Sequence, residues 1–225
     1  MHSQQVQQVL DVAGDLFFEL GFCNAKVSDI ASRSEISTAS IYKAFESKEA
    51  LFRAVLARGI QRLKSLARPV PQDDDPIAQL LQASDRYQEL CASALVRDLI
   101  RAPIEHNSIP LPFRRAMCRQ IRSALESLCM PALHACANAG LLDPKQIKDA
   151  FRLLSAYIEH QTIWHGLLVA PASNGSVERA QIADEAVRIT LSAYPPSAAA
   201  VADSFVDVGQ SAVVTPHPLR RAPKG

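Results

Sequence analysis

Apolar positions recur three and four residues apart along most of this chain. Val6, Val9, Leu10, Ala13, Leu16, Phe17 and Leu20 form one stripe, and that spacing predicts an amphipathic helix. Gly21 follows as its terminator, because glycine tolerates left-handed backbone. The next pattern predicts a short helix over roughly 27–33, a turn around Ser34, Glu35 and Ile36, and a second short helix over 38–44. Ser37 is placed to cap that second helix, and Ser47 to cap a longer one running to about Ala67. Glu49 falls in the first turn of the longer helix, where the macrodipole favours an acid.

Residues 69–76 read as a linker rich in proline and aspartate. Asp75 before Pro76 is an N-cap followed by a first-turn proline. It opens a helix carrying Ile77, Leu80, Leu81, Ser84, Tyr87, Cys91, Ala94 and Leu95, stopped or kinked at Pro103. The following helix carries Phe113, Met117, Ile121, Leu125, Leu128, Ala132 and Cys136, with a possible kink at Pro131 and an end at Gly140. Asp143 and Pro144 repeat the cap-then-proline signal. The helix behind them is apolar nearly all round, from Ile147 to Leu168, so both of its faces need cover. One face suits the domain core and the other a second subunit. Ser176 caps a last helix ending near Tyr194. From Pro195 onward the chain is rich in Ala, Pro and Ser and ends with Arg220, Arg221 and Lys224, a composition expected to be largely disordered. The pattern is that of an all-α protein.

Composition changes the picture little. Of 225 residues 48% are hydrophobic and 21% charged, enough apolar material for a substantial core. No apolar run reaches the roughly 18 residues of a membrane span, and the N-terminus lacks signal-peptide character, so a cytoplasmic protein without membrane contact is expected. Cys23, Cys91, Cys118, Cys129 and Cys136 form no CxxC pair, which leaves a zinc site without local support and favours reduced thiols. His160 and His165 are five apart rather than four, so no metal is expected. The chain contains no GxSxG, HExxH or phosphate-binding glycine loop, and no cofactor or enzymatic activity is expected from it.

Two short helices joined by a tight turn, behind a longer helix, form a DNA-reading unit when the second can enter the major groove. Ile41 and Phe45 are four apart and lock that second helix inward. Thr38, Ala39, Ser40, Tyr42 and Lys43 are left outward, where small and hydroxylated groups allow close approach to base edges. Lys48, at the start of the next helix, is a candidate for holding a phosphate together with free backbone N–H groups. Up to Ser47, however, the basic residues are only Lys26, Arg33 and Lys43, against six acids. Phosphate contacts dominate affinity, so modest, salt-sensitive DNA binding is expected. Arg53, Arg58, Arg62, Lys64 and Arg68 offset the deficit if they face DNA.

Residues 5–52 resemble the DNA-binding domain of TetR/AcrR regulators. The resemblance lies in Leu16-Phe17, Gly21-Phe22, Asp29-Ile30-Ala31, Ile36-Ser37, Ser40-Ile41-Tyr42 and Phe45, and most specifically in Ser47-Lys48-Glu49-Ala50-Leu51-Phe52. It implies a dimer of about nine helices per subunit, with three helices reading double-stranded DNA, helices four to seven around a ligand, and the last two forming the dimer interface. The implied division is a helix-turn-helix domain over 1–47 (motif 26–45), a connecting helix over 48–68, a ligand-binding and dimerisation domain over 76–194 and a tail over 195–225. Ser37 becomes a DNA-interface residue on this reading. Three positions depart from the pattern: Lys26 stands where a capping hydroxyl is usual, leaving Asn24 as the alternative cap. Glu35 replaces a turn glycine, and Ala44 a histidine or tyrosine. Lys26 remains a candidate phosphate contact.

Residues 76–194 resemble AcrR-type efflux regulators less specifically, through Gly140-Leu141-Leu142 and Asp143-Pro144. The expected function is a ligand-responsive homodimeric repressor, released from a pseudo-palindrome by a small apolar or amphipathic effector. Its recognition helices would sit roughly 34–36 Å apart. Tyr87, Cys91, Leu95, Met117, Ile121, Tyr157 and Trp164 are the pocket candidates, with Tyr157 and Trp164 equally suited to the dimer seam. Cys118, Cys129 and Cys136 share a stripe with Ile121, Leu125 and Leu128, which favours core packing over a thiol sensor. The rival functions are an activator, a regulator dependent on a protein partner, and an enzyme built from scattered helical residues.

Overall fold

The computed structural model describes residues 2–106, 109–168 and 176–196. Among these the chain forms helices α1 (Ser3–Asn24), α2 (Val27–Ser34), α3 (Thr38–Phe45), α4 (Lys48–Leu66), α5 (Pro76–Ala92), α6 (Ala94–Glu105), α7 (Leu111–Asn138), α8 (Ile147–Leu168) and α9 (Ser176–Ala193). The expectation of a disordered tail concerns residues that, beyond Pro196, lie outside those described.

Capping residues set most of the boundaries. The Ser37, Ser47 and Asp75 side chains accept from the backbone N–H groups of Ser40, Ala50 and Ile77, each satisfying one orphan donor of a helix start. Gly21 interrupts α1 with φ 78° and ψ 159°, a conformation closed to residues with a Cβ, and one further turn carries the chain to Asn24. Asn24 does not cap α2: its amide donates to Leu20 O at 3.0 Å and closes the end of α1 instead.

Two helix boundaries differ from the sequence expectation. The single helix read across 76–102 is two, because Ser93 leaves helical backbone (φ −67°, ψ 149°) and its Oγ accepts from Val96 N–H to start α6. Pro103 lies inside α6 near its end. Asp143 and Pro144 make a turn rather than a helix start. The Asp143 carboxylate accepts from Lys145 N–H and its carbonyl from Gln146 N–H, and α8 begins only at Ile147.

The fold has a head and a body. In the head, α1, α2, α3 and α4 surround Leu16, Phe17, Ile30, Ile41, Leu51 and Leu56, all nearly inaccessible. Phe52 meets Phe17 at 4.9 Å and Phe22 at 5.0 Å between ring centroids. Each fully buried side chain of this size contributes about 1.5–3 kcal/mol. In the body, α5 is central and packs against α6, α7, α8 and α9. Helix α4 belongs to both parts, touching α1 on one side and α6 and α7 on the other. Gly59 lets α6 approach closely: a Cβ there would stand 3.0 Å from Leu99 Cδ2.

Candidate nucleic-acid interface and pocket

Helix α3 presents the face expected of a groove reader. Ile41 is 1% exposed and Phe45 packs partly buried against the core, whereas Tyr42 is 47% exposed. Ser37, Thr38, Ala39, Lys43 and Ala44 are exposed and Ser40 is half-buried. The Ser37 hydroxyl donates to Ser40 Oγ at 2.9 Å and accepts from Ser40 N–H at 3.2 Å, so the two serines hold each other at the helix start.

Both flanking turns use positive φ at a glutamate. Glu35 is left-handed (φ 55°, ψ 29°), with its own N–H on Ser32 O and the Ile36 N–H on Ala31 O. That is a Schellman closure, which makes the glycine-type turn without glycine. Glu46 (φ 61°, ψ −40°) sits inside a three-residue turn closed by Ser47 N–H to Phe45 O at 2.6 Å. This is the rarer, strained γ-turn.

The cations are less free than their number suggests. Lys26 is exposed at the start of α2 and makes no side-chain cap. Lys48 turns back to α1, with Nζ 3.4 Å from Cys23 O and 4.5 Å from the centre of the Phe22 ring. Arg58 pairs with Asp11 at 2.6 Å and donates to Gln7 O, while Lys64 donates to Gln120 Oε1 on α7. The expected row of α4 cations facing DNA is therefore partly spent on internal ties, leaving Lys26, Arg33 and Lys43 as the exposed bases of the first three helices.

Head and body meet where α6 reaches α1. Arg101 donates to Phe18 O at 2.7 Å, and the His106 ring stacks on Phe22 at 3.7 Å. A cavity of about 380 Å³ beside them is lined by Phe17, Phe22, Phe52, Asp98, Arg101 and His106, among others. Burial outweighs the nearby arginines and holds the Asp98 carboxyl above its usual range.

The seven pocket candidates are not gathered into one cavity. Tyr87, Cys91 and Met117 are buried in the core, and Leu95 and Ile121 are half-buried. Leu95 lies beside Gly59. Tyr157 donates to Glu185 at 2.6 Å across the α8–α9 surface, and Trp164 is 59% exposed. Tyr157 is half-buried against the core beside α9, and Trp164 sits on the outer face because α8 turns only one of its apolar faces toward α5. Tyr87 does line a cavity, of about 340 Å³, between α5, α7 and α8, together with Arg122, Glu126, Lys148, Phe151 and Glu159. Its hydroxyl donates to Glu159 at 2.6 Å. Glu159 was missed in the sequence because a lone acid on an apolar helix carries no periodic signal, and Phe151 because apolar spacing marks a buried face rather than a cavity.

Cys91, Cys129 and Cys136 are buried and Cys23 and Cys118 exposed, so Cys118 leaves the stripe assigned to it. Burial raises the Cys91 and Cys129 thiols well above their ordinary values, and burial with Asp75 nearby lifts Cys136 to about 11. Among the described residues no group of three His, Cys, Asp or Glu side chains is placed to hold a metal. The His165 side chain lies outside them. No helix among them is long and apolar enough to cross a membrane.

A short capped helix with an exposed small-residue and tyrosine face, carried on a three-helix head with a helical body behind it, defines a helix-turn-helix transcription regulator. Residues 9–55 match the tetR family of bacterial regulatory proteins, and residues 78–196 match the C-terminal domain of AefR-like transcriptional repressors. The chain belongs to the TetR family. Comparison with curated proteins returned no significant match.

Among solved structures, a TetR transcriptional regulator from Agrobacterium tumefaciens is similar at 20% identity and TM-score 0.69, covering 90% of this chain and 100% of that one. The superantigen PfiT is similar at 20% identity and TM-score 0.64, over 83% and 96%. The regulator FadR from Bacillus subtilis, in complex with stearoyl-CoA, is similar at 14% identity and TM-score 0.55, over 83% and 97%. At these identities the likeness is one of fold.

Proposed function

We propose that this protein is a homodimeric, ligand-responsive repressor that reads a pseudo-palindromic operator. The observation that carries the reading is the outward face of α3, where Thr38, Ala39, Tyr42 and Lys43 stand exposed around a buried Ile41. Tyr42 and Lys43 contact DNA, Ser37 and Ser40 shape the approach, and Lys26 meets a phosphate. Lys48 acts through the tie it makes to the end of α1, or through phosphate once released from Cys23 O. A repressor role is supported by the match to AefR-like repressors over the body.

Dimer formation through α8 and α9 is supported by Trp164, a large apolar side chain left exposed on α8. Response to a small effector is supported by the cavity between α5, α7 and α8, and by FadR, a protein of like fold solved with stearoyl-CoA. Binding would shift the population toward a dimer whose recognition helices no longer match one DNA turn. The sparse free cations predict modest affinity that falls steeply with salt.

Selection from random duplex DNA at two salt concentrations tests the reading, with a Tyr42→Ala, Lys43→Ala double variant alongside. A selected palindrome that the variant loses supports it. Absence of any enrichment at either salt refutes direct DNA reading and leaves a protein partner to be sought.

A further inference from the structure

Resting on that reading and sharpening it, we propose that the effector is a dipolar small molecule, its ammonium end held by Glu159 beside Tyr87 and its carboxylate end by Lys148. The cavity lies where the body's three helices leave room, but its lining is not apolar. Cys91 and Met117, the apolar candidates, are packed away, and charged side chains from α7 and α8 face the space instead.

Glu159 is half-buried and accepts one hydrogen bond, from the Tyr87 hydroxyl. Among the described residues no Lys, Arg or His stands within ion-pair distance of it. A carboxylate offers about four acceptor positions, so most of its capacity is unused. A partly desolvated charge in that condition favours a cation. The Tyr87 ring, which meets Phe151 edge to face at 6.2 Å, lines the same cavity and suits an ammonium for the same electrostatic reason.

The opposite end has the opposite sign. Lys148, Arg152, Ser155 and Glu159 follow one another at helical spacing along the cavity side of α8. At 1.5 Å rise per residue, exposed Lys148 lies about 16 Å along the axis from half-buried Glu159, a distance that two extended side chains and a short ligand span. Arg152 is already paired with Asp149 at 2.7 Å, whereas Lys148 has no acid within ion-pair distance among the described residues. Arg122 and Glu126, four residues apart on α7, add one charge of each sign to the lining. Along α8 the cavity thus runs from basic Lys148 to acidic Glu159, and a molecule with one charge of each sign satisfies both. A volume of about 340 Å³ holds a compact ligand rather than a long lipid.

Calorimetric titration of the full chain with ω-aminooctanoate, octylamine and octanoate tests the proposal. The amino acid is expected to bind at least about ten-fold tighter than either single-charge analogue, a difference of about 1.4 kcal/mol. Glu159→Gln is expected to remove at least about ten-fold of that affinity, and Lys148→Met to reduce it to the level of octylamine. Tyr87→Phe, which breaks the link to α5 but keeps the carboxylate, is expected to retain binding. Octanoate binding as tightly as the amino acid, no binding by any of the three, or equal losses in Tyr87→Phe and Glu159→Gln would each overturn the proposal. DNA binding measured in parallel separates the two levels. A protein that binds the probe but no DNA refutes the regulator reading alone, and one that binds DNA but ignores all three probes refutes the effector class alone.

Discussion

The turns that flank α3 hold strain whose sign and size can be measured. Glu35 and Glu46 both adopt positive φ, at 55° and 61°. For a residue with a Cβ, the left-handed region costs about 1–2 kcal/mol. Glycine removes that cost but loses about 0.5–1 kcal/mol through its greater freedom when unfolded. Glu35→Gly should therefore stabilise by about 0.5–1 kcal/mol. Glu46 lies outside the left-handed well, in the strained γ-turn, so its release is worth more, about 1–2 kcal/mol net. The pair should raise Tm by about 3–12 °C at the 2–4 °C per kcal/mol typical of a chain this size.

Gly21 and Gly140 provide the reverse experiment. Both have positive φ, at 78° and 71°, and an added Cβ would meet nothing within 4 Å at either. Any effect of Gly→Ala there is a backbone effect. Gly140→Ala should cost about 0.5–1 kcal/mol, and Gly21→Ala more, about 1–3 kcal/mol, because its ψ of 159° lies in a region open essentially to glycine alone. Urea unfolding without DNA is the assay, with Glu35→Gln as a control that removes the charge and leaves the backbone strained. If Glu46→Gly lowers stability, or Gly140→Ala raises it, the strain argument fails.

Three further outcomes are expected. Gly59→Ala should clash with Leu99 in the wild-type background but gain helix propensity in a Leu99→Ala background, giving a favourable coupling of about 1–3 kcal/mol in a double-mutant cycle. Additive effects would show that α4 and α6 are not in close contact. The Gln88 side chain is fully buried with both amide atoms unpartnered among the described residues. Gln88→Met should accordingly stabilise by about 1–3 kcal/mol in denaturant titration, and a loss of stability would reveal a partner in solution. Asp98 has a raised native pKa, so its ionisation is harder in the folded chain. Stability should fall as pH rises through the window above the ordinary value of about 4. Asp98→Asn should remove that decline, stabilising at neutral pH and making no difference well below pH 4. An Asp98→Asn effect equal at all pH values would assign it to packing instead.

What the sequence made legible follows the range of each interaction. Caps act over two or three residues, so Ser37, Ser47 and Asp75 could be placed from neighbours alone, and the inward pair Ile41 and Phe45 follows from spacing on one short helix. The same local logic misread Asp143, whose carboxylate and carbonyl bind the turn after Pro144 and delay α8 to Ile147. It also missed Ser93, because a serine inside an apolar pattern is compatible with both a continuous helix and a new cap. The candidate cavity was hardest. Tyr87 could be nominated as an apolar-stripe residue, but its partner Glu159 is 72 positions away, and nothing in either helix marks the pairing. Which face of α8 meets α5 and which meets solvent depends on a rotation of one helix against four others. That is why spacing leaves Tyr157 and Trp164 equally suited to a pocket and to a dimer seam, whereas in the fold Tyr157 is half-buried beside α9 and Trp164 is exposed. A periodic stripe identifies a buried face but cannot distinguish two such faces on one helix. Long-range charge placement, as with Lys48 and Arg58 turned back onto α1, lies further still beyond periodicity, and it decides how much free positive charge reaches DNA.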